Sequence, residues 1–277
     1  MQLPQLTPAQ LAEFRRINEQ FGHLVRLPSP GTWKSMTEHE IWLRVVSQVV
    51  VVGRAAPAER LKDEEMQQAL DFATLSSMPP RRATKRIGEA LARIGTRMVS
   101  KQQPETSPKV LALAHNLAFL KTYPGGPRGF IADVANQQTS QERWRYVEKH
   151  LAYIRNKGAR DFLTTGFGLV TDHIALDVRV MSVVSRIVPG FPVKAPSTDS
   201  DYEKIECYLI ENICRPLDIE PARLDQLLFR FQRHIIAQLE SGFASPRLKD
   251  LSAEELVSHY RAVVAELKYR EIFPGEG

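Results

Sequence analysis

The sequence predicts an all-α fold. Apolar residues recur at helical spacing along most of the chain, and capping patterns precede several of these runs. No stretch alternates apolar and polar residues as a half-buried strand would. The chain has 277 residues, of which 43% are hydrophobic and 25% are charged, a balance typical of a soluble globular protein. We therefore expect packed helices around one large core or two smaller ones.

The first two helices are marked by their caps. Thr7, followed by a proline, predicts a helix that ends near Gly22. Thr37 and Glu40 have the spacing of a capping box and predict the start of a second helix. The β-branched run at 48–52 would also suit a strand, but its flanks favour a continuing helix.

Later elements follow from apolar stripes and from proline and glycine breaks. The stretch YPGGPRG at 123–129 predicts a loop, and the prolines at 79–80 predict a break. Further helices are predicted over 64–75, 87–99, 109–120, 202–213, 224–235 and 252–267.

Charge and cysteine content restrict the classes of function. The chain has 37 Lys+Arg against 32 Asp+Glu, and this net charge of +5 favours polyanionic partners without requiring them. Cys207 and Cys214 lie on one predicted helix, cannot bridge each other, and are too few for a zinc site or an iron–sulfur cluster. We therefore expect a reducing, cytoplasmic location, no metal and no membrane span.

The stretch 151–180 is the most informative part of the chain. It predicts a turn at 156–158, an apolar helix over 159–163, a break at Gly166 and Gly168, and a new helix that opens near Asp177.

Lys157 and Asp177 bracket this apolar segment, and its turns could bring them to one cleft. A lysine is a nucleophile only when neutral, and apolar or cationic neighbours such as Phe162 and Arg155 lower a lysine pKa. A carboxylate opposite could stabilise a developing positive charge. The pair also has an explanation without chemistry, in which Lys157 is an exposed turn residue and Asp177 caps the next helix.

The surrounding pattern resembles the signature of the helix–hairpin–helix DNA glycosylases, the superfamily of endonuclease III and the 8-oxoguanine DNA glycosylases. Their hairpin has the form L-x-G-[IV]-G-x-K-x-A and precedes a catalytic aspartate. Residues 151–159, LAYIRNKGA, supply the leucine, the branched residue, the lysine and the alanine. Residues 175–180, ALDVRV, are similar to the aspartate motif. The lack of a four-cysteine cluster fits the 8-oxoguanine branch better.

Tyr153 and Arg155 stand where the family has its hairpin glycines. Those glycines permit positive φ and let backbone amides approach a DNA phosphate closely. The resemblance therefore leaves open how this hairpin contacts DNA.

A second register of the motif is also open. It puts Asn156 and Gly158 at the glycine sites and Arg160 at the lysine site, although an arginine cannot lose its proton to act as a nucleophile. We prefer the first register, because it aligns Ala159 and Phe162 with the family's helix.

Weaker likenesses outside this stretch imply further site residues. The early helix around 42–61 is similar to the one whose side chain is inserted into the DNA stack, and Gln48 falls at that position. The segment 224–229 looks like part of the base pocket, which implies Asp225 and Phe229 as substrate-binding residues.

The resemblance also implies DNA contacts from the hairpin residues Arg155, Asn156 and Gly158. Arg128, in the predicted 123–129 loop, is a further candidate DNA contact, because loops over clefts often carry binding residues.

The reaction that the resemblance implies is removal of a damaged base, with an 8-oxoguanine-like purine favoured, from a nucleotide flipped out of double-stranded DNA. Lys157 would attack the sugar with Asp177 assisting, and the resulting Schiff base would allow strand nicking without metal or other cofactor. We expect a monomer, nucleoid-associated in a bacterium or archaeon.

The implied architecture is two helical lobes with a cleft between them. The first would comprise 36–176 and end in the helix–hairpin–helix, and the second would combine 1–35 with 177–277. Two alternatives stay open: a helix–hairpin–helix protein that binds DNA without chemistry, and a glycosylase in which water is the nucleophile.

Overall fold

The computed structural model describes residues 3–53 and 56–241, and within them regular structure is helical, with no strand. Every helix in these ranges is too short or too polar to cross a bilayer. The all-α prediction is confirmed. The α-helices are α1 (Pro8–Phe21), α2 (Glu38–Val50), α3 (Ala56–Glu59), α4 (Glu64–Ala69), α5 (Phe72–Ser77), α6 (Pro80–Arg93), α7 (Pro108–Thr122), α8 (Gly126–Ala135), α9 (Ser140–His150), α10 (Asn156–Phe167), α11 (Val178–Ile187), α12 (Asp199–Leu209), α13 (Arg215–Leu217) and α14 (Pro221–Ser241). Single 3-10 turns occupy Gly22–Leu24, Thr32–Lys34, Arg60–Lys62 and Pro104–Thr106, and a π-helical segment, Ile210–Cys214, joins α12 to α13.

The chain divides into two compact units. One comprises Leu27–Ala175, and the other combines the described parts of Met1–Arg26 and Leu176–Gly277. The predicted division into 36–176 and 1–35 with 177–277 stays a prediction. In the structure residues 27–35 fall in the Leu27–Ala175 unit, and Trp33 packs in its core.

Helix α2 lies at the centre of the Leu27–Ala175 unit, where it contacts α5, α7, α8 and α10. The predicted capping box at Thr37 and Glu40 is present, and the β-branched run is helical through Val50. Trp42 is fully buried, and its indole N–H donates to the carbonyl of Leu70 at 3.0 Å. The buried face of α2 consists of Ile41, Trp42, Val45, Val46, Val49 and Val50. Burial on this scale decides for helix over the β propensity of the valines.

In the other unit, α14 packs against both α1 and α11. Phe21 at the end of α1 stacks on Phe231 of α14 with ring centroids 5.0 Å apart. The predicted start of α1 is confirmed, with Thr7 as N-cap and proline in the first turn. The predicted helix over 252–267 lies outside the described residues.

Half of the predicted 123–129 loop is helical, because α8 begins at Gly126. Pro127 lies in the first helical turn, where its missing N–H leaves no bond unmade. Gly125 has φ +74°, which reverses the chain just before the helix. Gly129 must remain glycine, because a Cβ there would collide with the Pro124 carbonyl. The prediction of a loop was wrong for the second half of this stretch.

Two other boundaries also differ from prediction. The helix expected over 64–75 is two helices, because Asp71 interrupts it and caps α5 by accepting from the Thr74 N–H at 2.7 Å. The helix expected over 87–99 begins at Pro80, so the paired prolines open this helix.

The C-terminal end of α2 is held by one buried lysine. Lys109 of α7 is fully buried, and its ammonium donates to the carbonyls of Val50 at 3.0 Å and Val52 at 2.7 Å. The last carbonyls of a helix lack hydrogen-bond donors within the helix, and the Lys109 ammonium provides these donors. Burial and, second, the charge of Arg97 lower the pKa of Lys109 from 10.5 to about 8.

The lowered pKa predicts a pH-dependent contribution to stability. Between pH 8 and 10.5 the unfolded chain retains a proton on Lys109 that the folded chain has lost. Wild type should therefore gain stability relative to Lys109→Met as pH rises through this window, by up to ~3 kcal/mol. Urea unfolding of both proteins at several pH values measures the difference. Burial raises the pKa of the Cys214 thiol to about 12, but this effect is common to both proteins and cancels. A difference that stays constant or shrinks would contradict the assignment.

Candidate active site

A short hairpin, residues 151–155, joins α9 to α10, and the two helices contact each other. Leu151 and Ile154 are buried and fix the hairpin in the core. The predicted turn at 156–158 is wrong, because these residues form the first turn of α10. The helix can start this early because a carboxylate oxygen of Glu148 accepts the Asn156 N–H at 3.2 Å. Gly166 lies inside α10, and only Gly168, with φ +63°, ends it.

Lys157 lies in this first turn and is exposed. Gly158, which follows it, faces α2, since a Cβ there would lie 3.3 Å from Nε2 of Gln48. The structure therefore brings Gln48, predicted from a different part of the sequence, to the turn that carries Lys157. Any larger side chain at position 158 would displace the Gln48 amide.

Tyr153 has the backbone conformation of a glycine. Its φ is +68°, at the position where the resembling motif has its first hairpin glycine. A residue with a Cβ is strained there by ~1–2 kcal/mol. Arg155, at the second glycine position, is extended with φ −94° and ψ 175°, which any residue adopts. The glycine-like geometry is thus present at one of the two positions.

Arg160 lies one turn further along α10 and points inward. It is 4% exposed, and its guanidinium carbon lies 4.7 Å from the ring centroid of Trp144 on α9. Such a stack is a favourable cation–π contact. The two candidate lysine positions of the motif therefore differ in environment, with Lys157 exposed and Arg160 buried.

Asp177 caps α11 in the other unit. One carboxylate oxygen accepts the N–H groups of Arg179 at 2.8 Å and Val180 at 3.0 Å, and the residue is 8% exposed. The predicted helix start at this residue is confirmed. The positive end of the helix dipole stabilises the negative charge of the carboxylate.

The backbone just before Asp177 is held by Tyr202 of α12. The Leu176 N–H donates to the Tyr202 hydroxyl at 2.9 Å, and Tyr202 is 7% exposed. The sequence pattern showed Tyr202 only as part of an apolar stripe, so this contact was missed.

Asp225 and Phe229 both lie on α14. Asp225 is buried and accepts a hydrogen bond from the side chain of Gln226 at 3.1 Å. Phe229 is half-buried, and the guanidinium carbon of Arg179 lies 4.5 Å from its ring centroid. Because Arg179 lies in the first turn of α11, the structure brings Phe229 close to the turn that Asp177 caps.

Arg128 and Arg155 are both exposed. Arg128 donates to the carbonyl of Met36 at 2.7 Å and so holds the segment that precedes α2. Arg155 is the N-cap residue of α10, directly before Asn156 and Lys157. Their contacts with DNA stay predictions.

Among residues 3–53 and 56–241, no three His, Cys, Asp or Glu side chains are arranged to hold a metal ion. The two cysteines, Cys207 and Cys214, are free.

Comparison with known proteins identifies the fold. No protein-family model matches the sequence, and no curated protein sequence matches it significantly. The 8-oxoguanine DNA glycosylase of Thermotoga maritima is similar in structure, with a TM-score of 0.59 and 18% identity over 80% of this chain and 95% of that one. The 8-oxoguanine DNA glycosylase of Methanocaldococcus jannaschii is similar with a TM-score of 0.58 and 13% identity, over 81% and 94% of the two chains.

A structure of a Methanocaldococcus jannaschii 8-oxoguanine glycosylase/lyase in complex with 15mer DNA containing 8-oxoguanine matches with a TM-score of 0.57 and 11% identity. That match covers 82% of this chain and 98% of the other. The chain therefore has the fold of these glycosylases.

The geometry of Asp177 predicts its contribution to stability. Asp177→Ala removes both hydrogen bonds to the start of α11 and should lower the free energy of unfolding by ~1 kcal/mol. Asp177→Asn keeps a capping oxygen and should change it by less than about 0.5 kcal/mol. Urea unfolding of the three proteins measures this, and equal losses in both variants would contradict the cap.

Proposed function

We propose that this chain, which has the fold of 8-oxoguanine DNA glycosylases, is a DNA glycosylase that uses Lys157 as its nucleophile. The observation that supports this most directly is the position of Lys157. It is exposed in the first turn of the helix that follows the hairpin, and it matches the lysine of the hairpin motif.

The environment of Arg160 supports this register over the shifted one. A residue at the nucleophile position has to reach a substrate, and Arg160 is buried against Trp144. An arginine also cannot give up its proton to act as a nucleophile. We therefore assign the lysine site to Lys157.

The proposed reaction begins on a nucleotide flipped out of the duplex, at a cost of a few kcal/mol. The neutral amine of Lys157 attacks C1′ of the deoxyribose, and the bond from C1′ to the base breaks as the base leaves with a proton. Opening of the sugar ring gives an imine between Nζ and C1′. Loss of a proton from C2′ and cleavage of the bond from C3′ to its oxygen then nick the strand.

Asp177 is the proposed carboxylate of this reaction. Positive charge develops at C1′ as the base departs, and a fixed carboxylate stabilises it. The two N–H groups that bind one of its oxygens hold the side chain in one orientation. Preorganisation of this kind avoids reorganisation during the reaction.

The proposed substrate is an 8-oxoguanine-like purine. Gln48, which lies against the first turn of α10, is proposed to contact the flipped nucleotide or the gap that it leaves. Phe229 offers an aromatic face for stacking, and Asp225 offers a hydrogen-bond acceptor on the same helix.

The proposed partner is double-stranded DNA, bound by a monomer. The net charge of +5 favours a polyanion. Arg155, Asn156, Gly158 and Arg128 are the proposed DNA contacts, and of these Arg155 and Arg128 are exposed cations. A nucleoid-associated, cytoplasmic location is part of the same proposal.

A second candidate function is DNA binding without chemistry. The residues at the hairpin glycine positions, Tyr153 and Arg155, favour it, because they depart from the motif of the catalytic proteins. A third candidate is a glycosylase in which water attacks C1′ and Lys157 forms no bond.

Borohydride trapping tests the nucleophile. Reduction of the imine links protein to DNA, so wild type should form a covalent adduct with a duplex that contains 8-oxoguanine. Lys157→Gln should lower the yield by at least about a hundredfold. Lys149→Gln, which replaces an exposed lysine at the end of α9, is the matched control and should trap like wild type.

The other candidate functions give different outcomes. If wild type and Lys157→Gln bind DNA equally and neither is trapped, the chain binds DNA without chemistry. If base is released but the strand stays intact until alkali is added, water is the nucleophile. A panel of duplexes with one modified base each identifies the substrate by cleavage.

Asp177→Asn separates catalysis from stability. The variant keeps the helix cap but loses the carboxylate charge, so trapping should fall by about a hundredfold. Its unfolding curve should stay close to that of wild type. An active Asp177→Asn protein would exclude Asp177 from the reaction.

A further inference from the structure

The hairpin 151–155 is held by a side chain from outside it. Asn116 of α7 is fully buried, and its amide binds both polar groups of Ala152. Its Nδ2 donates to the Ala152 carbonyl at 3.1 Å, and the Ala152 N–H donates to its Oδ1 at 2.7 Å. A buried asparagine with both ends satisfied fixes the residue that it binds.

The fixed residue directly precedes the strained one. Tyr153 has φ +68°, a conformation that glycine adopts freely and other residues avoid. The Tyr153 hydroxyl, at the tip of the side chain, lies 3.9 Å from the sulfur of Met98. Tyr153 therefore lies between a fixed Ala152 and a side-chain contact with Met98, in a backbone conformation that its residue type does not favour.

The N-terminus of α10 already holds an anion. The Glu148 carboxylate accepts the Asn156 N–H at 3.2 Å, at the positive end of the helix dipole. A DNA phosphate is attracted to the same kind of position in other proteins. Here it would meet a like charge.

We propose that Asn116 is a positioning residue, which holds the hairpin in the conformation that places Lys157 for attack. The inference rests on the proposed function of Lys157. It assigns Asn116 to the rate of the chemical step and leaves the affinity for DNA to the contacts proposed above, because Asn116 is fully buried and reaches no phosphate. Asn116 acts through Ala152 and Tyr153, because these residues lead directly into the turn that carries Lys157.

The proposal predicts a split between rate and affinity. Asn116→Ala should slow single-turnover borohydride trapping by about ten- to a hundredfold, because a shift of the nucleophile by about 1 Å is costly. The Kd for the same duplex should stay within about twofold of wild type, with the same salt dependence, because no phosphate contact is lost. Asn136→Ala, at the exposed end of α8, is the matched control and should change neither quantity. If the Ala variant does not fold, Asn116→Leu, which keeps the buried volume and removes both hydrogen bonds, takes its place.

A glycine at position 153 should rescue the variant. Tyr153→Gly adopts the left-handed conformation without help, so trapping by the double variant Asn116→Ala/Tyr153→Gly should return to within about threefold of wild type. Asp218→Gly is the control for relief of strain alone, because Asp218 is exposed and left-handed with φ +53° but belongs to the other unit. It should give no rescue.

Two outcomes would overturn the inference. One is an Asn116→Ala protein that loses DNA affinity together with about one unit of salt slope, the signature of a lost phosphate contact. The other is a lack of rescue by Tyr153→Gly.

Failure of the proposed function would look different, because wild type itself would not be trapped. Thermal unfolding then tests the hairpin alone. Asn116→Ala should lower the midpoint temperature of unfolding by less when Tyr153 is replaced by glycine. Equal decreases with Tyr153 and with glycine at this position would overturn the inference that Asn116 holds the hairpin.

Discussion

Backbone groups at buried helix ends need partners, and this constraint organises the candidate site. A helix leaves its first N–H groups and its last carbonyls without internal bonds. Lys109 donates a hydrogen bond to a carbonyl at the end of α2. Glu148 accepts from an N–H at the start of α10, and Asp177 accepts from N–H groups at the start of α11. Asn116 does the same for the hairpin. Each is an ionisable or amide side chain placed where an unpaired backbone group would otherwise be costly.

This arrangement ties catalysis to structure in the proposed reaction. Asp177 has two assignments, helix cap and carboxylate, and the bonds that satisfy the helix also orient the charge. Lys157 follows directly on the hairpin, and Gly158 next to it packs closely against Gln48. Backbone geometry therefore contributes to the position of the proposed nucleophile, and hydrogen bonds to the helix orient the proposed carboxylate.

The sequence predicted those features that local chemistry determines. The Thr7 cap, the Thr37–Glu40 capping box, the Asp177 cap and the helical course of 48–50 were correct, because each depends on residues within one or two turns of one another. The helix starts at Pro80 and Gly126 were missed, because a proline that breaks a helix interior is also favoured in the first helical turn. Asn116 and Tyr202 were missed for another reason. They bind backbone groups that are remote in sequence, and no local pattern marks such a side chain.

The left-handed Tyr153 has a consequence for how such chains are recognised. A hairpin can keep its shape after losing a glycine if a neighbouring helix contributes the missing constraint. The bend then depends on a pair of distant positions, one in the hairpin and one in α7, and a contiguous motif does not contain the requirement. Searches that demand glycine at this point will pass over proteins in which the same bend is enforced by an asparagine elsewhere.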